Sequence, residues 1–150
     1  MFPIAVLASG RGSNLNAILD AQKKGQLKAN VVTVITDNPQ AKALTIAREN
    51  RIPYHILEPN SFKEKEKFNQ TLIKTLRDYE VKLIVLAGYM RLLAPTLLKA
   101  FPNQIINIHP SLLPAFPGLE AQKQAFDYGV KFTGCTVHFV DQGMDTGPII

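Results

Sequence analysis

Asn107 and His109 stand two apart in the run IINIHPSLLPAFPG, residues 105–118. In an extended strand alternate side chains share a side, so these two polar groups point together while Ile106 and Ile108 point the other way. Burying both without partners would cost about 1–3 kcal/mol each. The pair is therefore either satisfied within the core or used. Asn107 is a neutral amide donor, suited to hold a carbonyl oxygen as it becomes negative. His109 can carry a proton near neutral pH. A third candidate, Asp145, lies in VDQGMDTGP between Gly143 and Gly147, where a flexible backbone is expected to bend its carboxylate inward. A carboxylate beside His109 would raise the imidazole's pKa and fix its orientation. Amide, imidazole and carboxylate together suit acyl transfer to an external amine, because the substrate then supplies the nucleophile.

Other chemistry is weakly supported. Ser111 is two residues from His109 but lacks the Gly-x-Ser-x-Gly elbow. His55, His109 and His138 have no metal-ligand spacing, and His55 and His138 read as structural. Cys135 reads as a small apolar residue. Met90 and Met144 flank the candidate site, either lining an apolar slot or filling core.

A second candidate site is the loop ASGRGSNLN, residues 8–16. Gly10 and Gly12 let the backbone come close to a ligand. Ser13 and Asn14 then open a helix, whose free N–H groups and positive dipole end suit an anion. Leu15 stands at the third glycine position of the dinucleotide fingerprint, and no Gly-Lys-Ser/Thr follows. What remains is a cradle for a single phosphate, with the Ser13 hydroxyl and Asn14 amide as extra donors. The plainer alternative is a tight turn with an N-cap.

These groups need elements to position them, and strand-like and helix-like stretches alternate along the chain. Expected strands are PIAVLAS, VVTVITD, YHIL, KLIVLAGY, QIINIH and FTGCTVHFV. Between them the spacing predicts helices: SNLNAILDAQKKG, NPQAKALTIAREN with Asn38 as cap and Pro39 at its first position, and SFKEKEKFNQTLIKTLRDY with Ser61 as cap and Phe68, Leu72 and Leu76 on one stripe. Shorter helices are expected over 95–100 and in GLEAQKQAFDYG. This alternation implies right-handed βαβ units: an α/β fold with an open, mostly parallel, twisted sheet and helices on both faces. The late FTGCTVHFV strand is expected to be antiparallel, since no helix separates it from GPII.

At 150 residues, with 46% hydrophobic and 19% charged residues, the chain reads as one domain with a real core. No apolar run approaches the ~20 residues of a membrane helix, and MFPIAVLASG reads as a first strand rather than a leader. A single cysteine allows no internal disulfide and fits a reducing cytoplasm. The formal charge of +5 is scattered, which disfavours nucleic acid and allows a field that draws in a small anionic substrate.

ASGRGSN, VLAGYMRLL, NIHPSLLPAFPG and HFVDQGMDTGPII, in this order over essentially the whole chain, resemble the phosphoribosylglycinamide formyltransferase family, folate-dependent enzymes of purine biosynthesis. The resemblance implies a Rossmann-like fold and transfer of a formyl group from 10-formyltetrahydrofolate to the amine of 5-phosphoribosylglycinamide. It implies that Gly12, Ser13, Asn14, Leu15 and Asn16 hold the ribose phosphate. Lys65, Met90, Arg91, Leu92, Leu93 and Asn107 would contact the folate. Asn107, His109 and Asp145 would be the catalytic trio, with His109 as proton donor, Asn107 stabilising the oxyanion, and Asp145 raising the His109 pKa and managing the amine's proton. It also implies a cis Leu113–Pro114 bond, no metal, small-molecule partners with neither nucleic acid nor membrane, and a cytoplasmic monomer or homodimer. Family members often carry Gln where Asn16 stands. They continue past GPII with more strand and a long helix, so residues 1–150 are expected to be a single catalytic domain lacking that C-terminal part. Enzymatic alternatives sharing the Asn-x-His core are methionyl-tRNA formyltransferase, which needs a basic tRNA-binding domain, and formyltetrahydrofolate hydrolase. A non-catalytic phosphate- or folate-binding module is the remaining alternative.

Overall fold

A computed structural model of the protein describes residues 1–150. The elements run β1 (Phe2–Leu7), α1 (Ser13–Lys23), β2 (Ala29–Thr36), α2 (Lys42–Glu49), β3 (Tyr54–Ile56), α3 (Lys65–Asp78), β4 (Leu83–Leu86), α4 (Pro95–Ala100), β5 (Ile105–His109), α5 (Ala121–Tyr128) and β6 (Thr136–Phe139). One six-stranded sheet has the order β3-β2-β1-β4-β5-β6. Every pair is parallel except β5 with β6, so the late strand is antiparallel as its sequence setting implied.

Strand β1 shows why the runs are apolar throughout. Ile4, Val6 and Ala8 face one layer with Leu15 and Leu19 of α1 and Ala43 and Ala47 of α2. Ala5 and Leu7 face the other, with Phe68, Leu72 and Leu76 of α3 and Leu97 of α4. Both faces of the central strand are covered by helices, which removes the polar alternation of a half-exposed sheet. In β2 the register shifts between Ile4↔Val31 and Ala5↔Thr33, leaving Val32 as an extra residue. This bulge lets Val31 and Val34 share one layer while Ile35 enters the other. No helix is long and apolar enough to cross a membrane.

Two helix starts differ from the sequence expectation. Asn38 does not cap α2, which begins at Lys42. Its Oδ1 instead accepts the Gln40 N–H at 2.9 Å, and its Nδ2 donates to the Ser9 carbonyl at 3.2 Å. A contact 29 residues back in the chain thus holds Asn38–Pro39–Gln40 as a turn. Ser61 does not cap α3 either. It closes a single 3-10 turn, Pro59–Ser61, by donating its N–H to Glu58 O, and α3 starts at Lys65. The last strand is also shorter than expected: Phe132–Cys135 are exposed and lie outside β6. Beyond it, residues 148–150 run along β6 through Phe139 N–H to Pro148 O (2.8 Å) and Ile150 N–H to Val137 O (2.9 Å).

Candidate active site

In this strand order the chain leaves β1 toward β2 on one side and leaves β4 toward β5 on the other. The two loops diverge at the carboxyl ends of neighbouring strands, which opens a crevice where ligands bind in such sheets. The phosphate-loop candidate follows β1, the VLAGYMRLL segment follows β4, and the Asn107–His109 strand is next along.

The loop after β1 is built from backbone. Gly12 sits at the N-cap of α1 with φ 73°. A Cβ there would lie 2.8 Å from Ile46 Cδ1 and 3.0 Å from Ala43 Cα, so only glycine lets α1 start this close to α2. The first helical bond runs from Asn16 N–H to Gly12 O at 2.9 Å. The N–H groups of Ser13, Asn14 and Leu15 precede it and point out of the helix end, as an anion requires. Leu15 is fully buried and offers only its N–H. Asn16 spends its own N–H on Gly12, and its side-chain amide lies 3.4 Å from Asp20 Oδ2, down the helix and away from that end.

The loop after β4 is stitched to the first. Met90 N–H donates to Ser9 Oγ at 2.9 Å, and Ser9 N–H donates to Gly88 O at 3.1 Å. Met90, Arg91 and Leu92 are exposed and Leu93 packs on the core, so the segment offers an apolar rim and its backbone. The Arg91 guanidinium lies over the Phe68 ring, 5.8 Å from its centroid, next to the first turn of α3 that Lys65 opens. Lys65 is exposed there. Tyr89 carries a phenol pushed up to about 12, by burial first and by the Asp37 carboxylate second, so it remains a neutral donor.

The side-chain cluster forms where β5 and β6 pair. His109 is buried, and its Nδ1 lies 3.3 Å from Asp145 Oδ2. Its Nε2–H donates to the Phe116 carbonyl at 2.8 Å. Asp145 Oδ2 also accepts the Gly118 N–H at 2.8 Å, which locks the 141–147 loop onto the loop after β5. With Nε2–H committed to Phe116, the Nδ1···Oδ2 contact closes as a hydrogen bond only when a proton lies between ring and carboxylate. The bend that aims Asp145 is made by Asp145 itself, at φ 56°, and not by its glycines. Phe116 is also left-handed, at φ 52°. The two protein partners of His109 are thus both held in a costly backbone conformation, about 1–3 kcal/mol each, as functional sites often show. Gly147 serves close approach, since a Cβ there would meet Phe139 O at 1.8 Å. Asp141 ties the same loop by accepting Thr146 Oγ1–H at 2.7 Å and Gly143 N–H at 2.9 Å, and these bonds hold its carboxyl below the usual range.

His138 was legible only as a structural histidine, yet it belongs to this cluster. It is 2% exposed, pairs with Asn107 across the β5–β6 ladder, and places Nε2 3.4 Å from Asn107 Nδ2 and 3.6 Å from Asp145 Oδ1. The signal was the antiparallel register, in which the residue facing Asn107 must be His138. His55, by contrast, is bonded to Tyr79 Oη at 3.1 Å, far along the sheet on β3. Ser111 is fully buried and donates to Ala115 O at 2.5 Å, holding the turn that contains the cis Leu113–Pro114 bond. A separate cleft of about 620 Å³ between α3 and α4, lined by Lys74, Arg77 and Lys99 among others, contains none of these groups.

The sequence matches the formyl transferase family over residues 3–150. It is 53% identical over 150 residues to the phosphoribosylglycinamide formyltransferase of Bacillus subtilis (strain 168), covering 100% of this chain and 77% of that one. The chain belongs to the phosphoribosylglycinamide formyltransferases of this family. A crystal structure of glycinamide ribonucleotide transformylase 1 from Symbiobacterium toebii superposes with a TM-score of 0.97 at 51% identity, covering 100% of this chain and 71% of that one. The phosphoribosylglycinamide formyltransferase of Bacillus halodurans gives 0.94 at 49% identity, covering 99% and 76%. The chain thus shares both family and fold with these formyltransferases.

Proposed function

We propose that this formyltransferase moves the formyl group of 10-formyltetrahydrofolate to the amine of 5-phosphoribosylglycinamide, using Asn107, His109 and Asp145. The observation that carries the reading is the convergence of an imidazole, its carboxylate partner and an amide where β5 pairs with β6, two strands along the sheet from the strand that leads into the N-terminus of α1. The helix end at Gly12–Leu15 takes the ribose phosphate, with the Ser13 hydroxyl and Asn14 amide in reach. The folate lies along Met90–Leu93, with Lys65 at the rim for its acidic end. Residues 1–150 belong to one catalytic domain, whose relatives are longer, and it works on small molecules, in the cytoplasm, as monomer or homodimer.

The chemistry then follows from proton bookkeeping. The amine nitrogen attacks the formyl carbon, and the carbonyl electron pair moves onto oxygen. Asn107 and protonated His109 donate to that oxyanion, a term worth about 10²–10³ in rate for each donor lost. The amine's proton goes to the Asp145 carboxylate. The C–N bond to the folate nitrogen breaks as that nitrogen takes a proton from His109. A proton crossing the Nδ1···Oδ2 contact from Asp145 back to His109 restores both groups. Both ring nitrogens of His109 have protein partners, so the substrate must compete with Phe116 O or Asp145 for a ring proton. Purified enzyme offered phosphoribosylglycinamide, water and charged methionyl-tRNA together is expected to formylate the first. Dominant release of formate, or formylation of the tRNA, removes the reading.

A further inference from the structure

A side-chain amide has two nearly isosteric ends, and an oxyanion donor works only if the NH₂ end faces the substrate. The structure contains a device that decides this for Asn107. His138 Nδ1 lies 2.9 Å from the carbonyl oxygen of Phe139. A carbonyl oxygen only accepts, so Nδ1 carries the ring proton, and in the neutral ring Nε2 is a bare lone pair. Whatever faces Nε2 must then be a donor. The neighbour at 3.4 Å is Asn107 Nδ2, whose alternative, the Asn107 carbonyl oxygen, would oppose one lone pair with another. Nε2 also lies 3.6 Å from Asp145 Oδ1, too far for a good hydrogen bond and unattractive while the ring is neutral. One of the two N–H groups on Asn107 is spent on His138, and the second is left to point elsewhere.

We propose that His138 is a positioning residue for the transfer: its unprotonated Nε2 holds Asn107 in the one rotamer that offers an N–H to the reacting carbonyl. This rests on Asn107 being the oxyanion donor. Without a lone pair at this place the amide can turn over, oppose its oxygen to the reacting oxygen, and be lost as a donor. The ladder explains why the device sits here. Asn107 and His138 are directly opposite in the antiparallel pair, so the contact is fixed by backbone register and not by loop conformation.

The first test is the tautomer. Long-range proton–nitrogen spectra of the histidine-labelled enzyme near neutral pH are expected to show His138 as the neutral Nδ1–H form. An Nε2–H tautomer or an imidazolium overturns the proposal without any variant having to fold. The second is coupling. His138→Leu is expected to lower kcat about 10²–10³-fold, with the KM for the amine changed less than about threefold. In an Asn107→Ala background the same substitution should cost less than about twofold, because the donor it positions is gone. His138→Gln, which keeps an uncharged acceptor near Nε2, should bring kcat back to within about tenfold of the unsubstituted enzyme. Independent losses in the double variant, or Gln no better than Leu, overturn the proposal. Undiminished kcat in Asn107→Ala alone removes the oxyanion reading and this inference with it. A wrong tautomer alongside an inactive Asn107→Ala removes this inference alone.

Discussion

The loop after β1 and the cluster between β5 and β6 present hydrogen-bonding groups by opposite means. The first uses backbone N–H groups from consecutive residues, and its precision comes from one glycine packed against Ala43 and Ile46. The second uses side chains from β5, β6 and two loops, with Asp145 and Phe116 held at positive φ so that both rings of partners close. A backbone cradle tolerates changes of side chain and fails when its approach distance changes. A side-chain cluster fails when any one group is lost.

That contrast can be broken or sharpened at four points. The largest effect is expected for His109→Ala, which should lower kcat by about 10²–10⁴-fold with the circular dichroism spectrum unaltered; near-normal turnover would take the cluster out of the chemistry. Next, a substrate lacking its phosphate should bind at least about 10²-fold more weakly, since even one hydrogen bond to a charged group contributes about 1.5–3 kcal/mol; equal dissociation constants by calorimetry would end the role of the helix N-terminus. Gly12→Ala forces a side chain into left-handed backbone against α2 and should cost about 1–3 kcal/mol of stability, read as a lower denaturation midpoint. The smallest effect is Ser13→Ala. Its hydroxyl would be one donor beside three backbone N–H groups, so the substitution should raise KM for the phosphorylated amine by only about tenfold; a loss as large as removing the phosphate would show that side chains carry this site too.

The same contrast explains what could be read from the residues. ASGRGSNLN is local, and turn and helix-end chemistry are written in neighbouring residues. Asn107 and His109 share a side by strand alternation alone, and the structure adds Asp145 to them. What stayed hidden depends on pairing across the chain. His138 meets Asn107 only because β5 and β6 align in one register among several. Asn38 left its expected cap because an acceptor 29 residues earlier claimed its amide. The glycines flanking Asp145 suggested a hinge, whereas Gly147 answers a backbone carbonyl that no local pattern announces.

Ser9 gives the crevice its gauge. One short residue at the tip of β1 receives the Met90 N–H on its hydroxyl, passes its own N–H to Gly88, and takes the Asn38 amide on its carbonyl. The loop proposed for the sugar phosphate and the loop proposed for the folate are consequently riveted together at a set separation. On that proposal the two reactants would arrive on a jig already cut to length, and nearness at the reacting carbon would be a property of the resting fold and not something that either molecule must bring about by docking.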